Sequence, residues 1–192
     1  MVDLEAWLRA LVATPGLTSL ADVEEARRVL LEDSLRGLEL VAPEEGPVVD
    51  VGSGGGAPGI PLAAALPERE FVLLESVQRK CAFLRRYAPP NARVICGRAE
   101  EQGVDWAGCA LAKALAPPPV AAEWCLPLVR PGGAAVLWVG PTAEPARVAR
   151  VAVHLAAELE DSAEGFLVLR KQGPTPEGFP RRTGVARKHP LF

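Results

Sequence analysis

The stretch from Val48 to Gly59 limits what this chain can fold into more than any other part of the sequence. It reads Val-Val-Asp-Val-Gly-Ser-Gly-Gly-Gly-Ala-Pro-Gly, which is a short apolar run followed by clustered glycines and a proline. Glycines let a backbone approach a ligand closely, and proline is tolerated in the first turn of a helix, whose free N–H groups bind polar ligands. The stretch therefore predicts a strand, a tight loop and a helix start that could cradle a nucleotide-sized ligand. The simpler alternative is a glycine-rich turn with no ligand.

Apolar strand patterns alternate with helical spacing along the rest of the chain. Strands are predicted at 48–51, 70–75, 92–96, 109–113, 134–139 and 165–170, and helices at 3–13, 19–42, 59–66, 77–87, 119–129 and 143–157. This alternation is typical of an α/β fold with a mostly parallel sheet covered by helices on both faces. We expect an N-terminal helical appendage (1–46) and a Rossmann-like domain (47–192) with a basic tail. Ligands of such sheets bind at the carboxyl ends of the strands.

Charge is distributed unevenly along the chain. The formal net charge is -3, which argues weakly against a protein coated in nucleic acid. The C-terminal region from residue 170 onward nevertheless carries six basic residues and one acid: Arg170, Lys171, Arg181, Arg182, Arg187, Lys188 and Glu177. Such a tail can contact phosphates locally while the whole chain stays soluble.

The cysteines and the apolar runs bear on the cellular compartment. The chain has four cysteines (Cys81, Cys96, Cys109 and Cys125), and none forms a C-x-x-C pair. We expect buried thiols in a reducing compartment, with neither disulfides nor a metal site. No apolar run reaches membrane-spanning length, so the expected location is the cytoplasm.

Two cofactor classes fit the glycine loop. Gly52, Gly54 and Ala57 satisfy the G-x-G-x-x-[GA] pattern, so an NAD(P)-linked oxidoreductase is one possibility. Glu75, at the end of the second strand, could accept hydrogen bonds from the ribose hydroxyls of either cofactor. Asp50 favours a cationic ligand over a pyrophosphate, which it would repel. Glu100 could also meet an adenine amino group. Because a sulfonium cofactor fits the field of these acids better than an anionic dinucleotide, we predict S-adenosylmethionine, bound near these acids and near Gly52, Gly54, Gly56 and Ala57.

The stretch from Asp50 to Pro61 resembles the cofactor loop of the glucose-inhibited division protein B family. Members of this family are 16S ribosomal RNA methyltransferases, which methylate guanine N7 with S-adenosylmethionine on a class I methyltransferase sheet. The resemblance covers most of the chain through Thr18-Ser19, Asp33-Ser34, Leu74-Glu75-Ser76, Arg79-Lys80, Phe83-Leu84, Gly97 to Glu101 and the ending from Phe179 to Leu191. It implies that Gly52, Ala57, Ala99 and Glu100 line the cofactor pocket.

Several positions depart from the family pattern. Leu30 replaces a histidine, Lys113 an arginine, Val139 a lysine, and Pro15-Gly16 a tyrosine-asparagine pair. Leu30 and Val139 keep open a third possibility, a non-catalytic rRNA-binding assembly factor that retains the pocket.

The resemblance implies a reaction that depends mainly on alignment. Guanine N7 has a free lone pair and carries no hydrogen, so its methylation needs no base. Lys113, at the carboxyl end of the fourth strand, is the candidate catalytic residue and a candidate cofactor ligand. Contacts with 16S rRNA, free or in a small-subunit particle, are expected from Arg181, Arg182, Arg187 and Lys188. The expected protein is a monomer.

Overall fold

The computed structural model describes residues 2–160 and 165–191, and a single seven-stranded sheet forms the centre of this part of the chain. The strands are β1 (Val48–Val51), β2 (Phe71–Glu75), β3 (Ala92–Cys96), β4 (Ala107–Lys113), β5 (Val129–Trp138), β6 (Ala157–Leu159) and β7 (Phe166–Lys171). Their order is β3-β2-β1-β4-β5-β7-β6, in which β1 to β5 are parallel and β7 pairs antiparallel with β5 and β6. The strand order reverses beside β1, where sheets of this kind open a ligand crevice.

Helices cover both faces of the sheet. They are α1 (Leu4–Ala13), α2 (Val23–Ala26), a π-helical segment (Arg27–Glu32), α3 (Asp33–Leu35), α4 (Leu38–Val41), α5 (Gly59–Ala65), α6 (Gln78–Tyr87), α7 (Pro118–Cys125), α8 (Pro145–His154) and α9 (Val185–Lys188). Short 3₁₀ turns occupy Ala99–Glu101 and Leu126–Leu128. The predicted α/β fold with a mostly parallel sheet is confirmed.

The strands contribute side chains to two apolar layers, one on each face of the sheet. Val49 and Val51 point into the layer that contains α7 and α8, whereas Leu73 packs with Trp7 of α1 and Leu84 of α6 on the opposite face. The central strands are buried along their whole length, because helices cover both faces of the sheet. The N-terminal helices thus pack directly on the sheet, although the division of the chain at residue 46 stays a prediction.

Two predictions from the sequence are wrong in part. The helix expected over 19–42 begins at Val23, continues through the π-helical segment to Leu35, and is interrupted at Gly37 before α4. A Cβ atom at Gly37 would collide with the indole of Trp138, so close packing requires glycine there. The strand β6 was not predicted, because three residues carry too little periodicity to be recognised.

The expectation of four free thiols is also wrong. Cys81 of α6 and Cys96 of β3 form a disulfide whose Cα atoms lie 5.9 Å apart. The fold brings these positions together because α6 packs against β3, and that proximity cannot be read from spacing alone. Cys109 and Cys125 are free and buried, and burial raises the pKa of both thiols above the usual range.

Candidate cofactor site

The glycine loop joins β1 to α5 and lies above a buried acid. Gly52, Gly54 and Gly56 have positive φ angles of 71°, 57° and 108°, a conformation that other residues adopt at a cost. The Asp50 carboxylate lies underneath, where its Oδ2 accepts a hydrogen bond of 3.1 Å from the Gly59 amide. Burial raises the pKa of Asp50 to about 7. Asp50 therefore holds the loop and the start of α5 together, and it is not among the residues that line the nearby cleft.

Glu75 fixes the same loop from the side. One carboxylate oxygen accepts a 2.9 Å hydrogen bond from the Gly54 amide, and the other accepts a 2.8 Å bond from the Val77 amide. The side chain is buried at the end of β2. The carboxylate that the sequence assigned to a ribose thus lies next to the glycine loop and organises it.

The N-terminal helix α1 supports the loop from the opposite side. The indole Nε1 of Trp7 donates a 2.8 Å hydrogen bond to the carbonyl oxygen of Gly55. A Cβ atom at Gly55 would collide with Leu11, so this helix and the loop are in close contact. Sequence reasoning missed this role, because Trp7 on an amphipathic helix looks like an ordinary core residue.

A cleft of about 250 Å³ opens at the carboxyl ends of the central strands. Its lining comprises Val51, Gly52, Leu74, Ser76, Gly97, Arg98, Ala99, Glu100, Leu115, Trp124, Gly184 and Arg187. The cleft brings together Gly52, Ala99 and Glu100, three of the residues predicted to bind the cofactor. Of the other predicted residues, Gly54 lies nearby in the loop and contacts Glu75, while Gly56 and Ala57 pack towards Ile60 and the helices.

The donor and acceptor groups of the cleft fit a nucleoside. Val51, Leu74 and Leu115 supply apolar walls, and Glu100 supplies a carboxylate. The Nε1 atom of Trp124 is buried and has no hydrogen-bond partner among the described residues. A buried donor without a partner is costly, and a ligand that reached it would supply the missing acceptor. These residues fit the adenosine part of S-adenosylmethionine, and no feature of the sequence had pointed to Trp124.

Lys113 is not part of the cleft lining. Its Nζ lies 2.6 Å from Asp33 Oδ2 and 2.9 Å from the Val29 carbonyl oxygen, so it joins the end of β4 to the N-terminal helices. The indole of Trp138 donates a 3.0 Å hydrogen bond to the Asp33 carbonyl oxygen at the same junction. A catalytic or cofactor-binding role for Lys113 stays a prediction.

Half of the basic residues counted in the C-terminal region are used inside the fold. Arg170 pairs with Glu44 and Glu160, buried Lys171 pairs with Asp105, and Arg181 forms a two-pronged ion pair with Glu123. Arg182, Arg187 and Lys188 remain exposed. Arg187 nevertheless lines the cleft, where the sequence had assigned it to RNA.

Two positions that depart from the family pattern are packed against apolar clusters. Leu30 lies against the cluster that contains Trp7, and Val139 lies against the one that contains α7 and α8. Neither residue is among those that line the cleft.

Two solved structures with a similar fold are methyltransferases. The T. thermophilus 16S rRNA methyltransferase RsmC, solved with AdoMet and guanosine, matches 76% of this chain and 40% of its own with a TM-score of 0.54 at 14% identity. P. horikoshii TYW2, solved with MeSAdo, matches 73% of this chain and 60% of its own with a TM-score of 0.56 at 15% identity. The likeness shows that this chain has the Rossmann-like fold of these methyltransferases.

The chain belongs to the GidB family, described as rRNA small subunit methyltransferase G, whose model matches residues 2–162. A relative from Synechococcus elongatus, named Ribosomal RNA small subunit methyltransferase G, is 36% identical over 92% of this chain and 82% of its own length. A relative of the same name from Pelotomaculum thermopropionicum is 38% identical over 92% and 83%. The resemblance seen in the sequence is confirmed, and the family decides against the NAD(P)-linked alternative. Within residues 2–160 and 165–191, no helix is long and apolar enough to span a bilayer.

Proposed function

We propose that this protein transfers a methyl group from S-adenosylmethionine to N7 of a guanine in 16S ribosomal RNA. The observation that carries the proposal is the cleft in which Gly52, Ala99 and Glu100 lie together at the carboxyl edge of the sheet. Relatives named for methylation of small-subunit rRNA support the choice of substrate. The substrate would be 16S rRNA itself or a small-subunit particle, and the reaction would take place in the cytoplasm.

When bound, S-adenosylmethionine supplies an electrophilic methyl group on a sulfonium. The residues of the chain then have to hold and orient the reactants, because guanine N7 carries no proton that must be removed. Asp50 and Glu75 fix the glycine loop, while Glu100 and Trp124 line the cleft in which a nucleoside would bind. Alignment of reactants alone can lower a barrier by roughly 7–11 kcal/mol, so the proposal requires no general base.

Lys113 would position the RNA side of the site. Its ammonium group lies at the end of β4 with its side chain 12% exposed, and Asp33 holds it in place. We assign it to the junction between the sheet and the N-terminal helices, where a substrate phosphate could compete with Asp33 for the charge. The exposed Arg182 and Lys188 are the further candidates for contact with rRNA.

We propose that the protein acts as a monomer. The large apolar side chains that are most exposed in the described residues are Val29, Val77, Val104 and Val153. Four partly exposed valines offer little apolar surface, and a stable subunit interface would need a large continuous apolar patch.

Mapping N7-methylguanine in 16S rRNA tests the proposed reaction. Reduction and aniline cleavage of rRNA from cells with and without the gene should reveal one cleavage site that depends on the gene. A plasmid copy of the gene should restore that site in the deletion strain. An identical cleavage pattern in both strains would reject the methylation and favour a non-catalytic role in ribosome assembly.

A further inference from the structure

We propose that residues 181–188, here called the C-terminal clasp, form a wall of the cofactor pocket and contact the nucleoside half of the bound cofactor through Arg187. The inference rests on the proposed function, since it requires the cleft to bind S-adenosylmethionine. It assigns Arg181 and Arg187 to the cofactor site, whereas their place in a basic tail had suggested contact with RNA.

A buried ion pair anchors the clasp. Arg181 Nε and Nη2 each lie 2.6 Å from a carboxylate oxygen of Glu123, which is 4% exposed on α7. Two-pronged pairs between guanidinium and carboxylate are among the stronger and more directional contacts in proteins. Ala186, further along the clasp, is also buried. The clasp is therefore fixed on α7, the helix that carries Trp124.

Contacts beyond the anchor bring the clasp to the cleft. The Gly184 amide donates a 3.3 Å hydrogen bond to Glu100 Oε1, and the Thr183 hydroxyl donates one of 3.3 Å to Glu101 Oε1. The Arg187 Nη2 donates a 3.4 Å bond to the Leu115 carbonyl oxygen. Gly184 and Arg187 thus close the side of the cleft that Glu100 and Leu115 form.

Arg187 and Trp124 carry N–H donors that have no partner among the described residues. The Arg187 guanidinium carbon lies 5.1 Å from the centre of the Trp124 ring system, and the indole N–H beneath it has no partner among the residues the structure describes. Within the described part of the chain, Arg187 makes one long hydrogen bond, although its guanidinium offers five donors. Because Glu100 belongs to the same wall, we place the nucleoside half of the cofactor here.

Titration calorimetry of the full-length protein tests the clasp. The probes are S-adenosylhomocysteine and 5′-methylthioadenosine, which lacks the amino-acid end. Arg187→Ala should weaken both ligands by about three- to tenfold, the effect of losing one cation–π or hydrogen-bond contact. The matched control is Arg182→Ala, which removes the same charge from an exposed clasp residue outside the cleft and should leave both affinities within about twofold of the wild type.

The possible outcomes of this titration separate the inference about the clasp from the proposed function. Equal affinities of wild type and Arg187→Ala for both ligands would overturn the inference, and so would a loss confined to S-adenosylhomocysteine. If the wild type binds neither ligand, the proposed function falls together with the inference. If the wild type binds and Arg187→Ala binds equally well, only the inference falls.

A protease measurement tests the anchor independently. Glu123→Gln removes the charge that holds Arg181, so trypsin should cleave the clasp faster than in the wild type. Bound S-adenosylhomocysteine should slow cleavage of the wild-type clasp. Cleavage at an unchanged rate with and without the ligand would contradict the assignment of the clasp to the pocket wall.

Discussion

At the scale of single residues, Asp50 shows how burial can serve a binding loop. Its carboxyl group accepts the Gly59 amide and lies beneath the glycines, where burial raises its pKa to about 7. The usual value for aspartate is about 3.9. The protonated acid is therefore the form that the folded protein favours at mildly acidic pH.

This shift predicts the pH dependence of folding stability. Between about pH 4 and pH 7 the unfolded chain has lost the Asp50 proton while the folded chain keeps it, so rising pH favours unfolding by up to about 1.4 kcal/mol per pH unit. Asp50→Asn cannot titrate, and its stability relative to the wild type should therefore increase from pH 4.5 to pH 8. Urea unfolding at several pH values measures the difference.

Asp105 provides a control of opposite sign. Burial raises its pKa, but hydrogen bonds from Thr175 and the charge of Lys171 outweigh that effect and lower it overall. The ionised form of Asp105 stabilises the folded protein, and this stabilisation is lost as pH falls. The free energy of unfolding of Asp105→Asn should therefore lie furthest below that of the wild type at neutral pH. A constant difference between Asp50→Asn and the wild type across the pH range would contradict the role given to Asp50.

Trp124 yields a second prediction at this scale. Trp124→Phe removes an N–H that has no partner in the described part of the protein, so stability without ligand should be unchanged or slightly higher. Affinity for S-adenosylhomocysteine should fall by about two- to tenfold, the value of one hydrogen bond. Thermal unfolding and calorimetry measure the two effects separately.

Trp138 is the matched tryptophan for this experiment, because its N–H is bonded to the Asp33 carbonyl oxygen. Trp138→Phe should lower the melting temperature and leave ligand affinity near the wild-type value. If Trp124→Phe behaves in the same way, the Trp124 N–H does not face the cofactor.

At the scale of secondary-structure elements, α1 supports the cofactor site through the glycine loop, because Trp7 donates a hydrogen bond to the Gly55 carbonyl oxygen. Trp7→Phe would remove the hydrogen bond to Gly55 and leave that carbonyl without its donor. We expect a loss of about 1 kcal/mol in the free energy of unfolding and weaker binding of S-adenosylhomocysteine, since the loop loses its support.

The control on the same helix is Arg9→Ala, because Arg9 is exposed. It should leave both quantities close to the wild type. A Trp7→Phe variant that is less stable but binds the ligand normally would show that α1 stabilises the fold without organising the loop.

At the scale of the whole molecule, local structure could be predicted from the sequence, but pairings between distant residues could not. The glycine loop was predictable because glycine and proline constrain the backbone where they stand. Glu100 followed from the end of a strand, and Ala99 from the family resemblance. Arg181 and Arg182 are neighbours of identical type, yet only Arg181 finds a buried acid on α7. Nothing local distinguishes them, and the same holds for Lys113 and Asp33, which meet across 80 residues of sequence.

Because half of the basic residues of the C-terminal region are paired within the fold, fewer of them are available to contact RNA. Arg170, Lys171 and Arg181 neutralise acids within the fold, so exposed Arg182 and Lys188 remain for phosphates once Arg187 is assigned to the pocket. Each cation that neutralises a phosphate releases a counterion, and the slope of log K against log salt reports the number of such contacts.

Measurements of rRNA affinity at several salt concentrations therefore test which basic residues of the molecule contact phosphates. Arg182→Ala and Lys188→Ala should each reduce the slope by roughly 0.7–0.9, the effect of losing one phosphate contact. Arg93→Ala removes an exposed arginine that pairs with Glu70 at the amino end of β3, opposite the cleft, and should leave the slope unchanged. If all three variants keep the wild-type slope, the RNA contacts lie elsewhere. The junction between Lys113 and Asp33 then becomes the surface to examine, because the Lys113 ammonium is the remaining cation assigned to the RNA side.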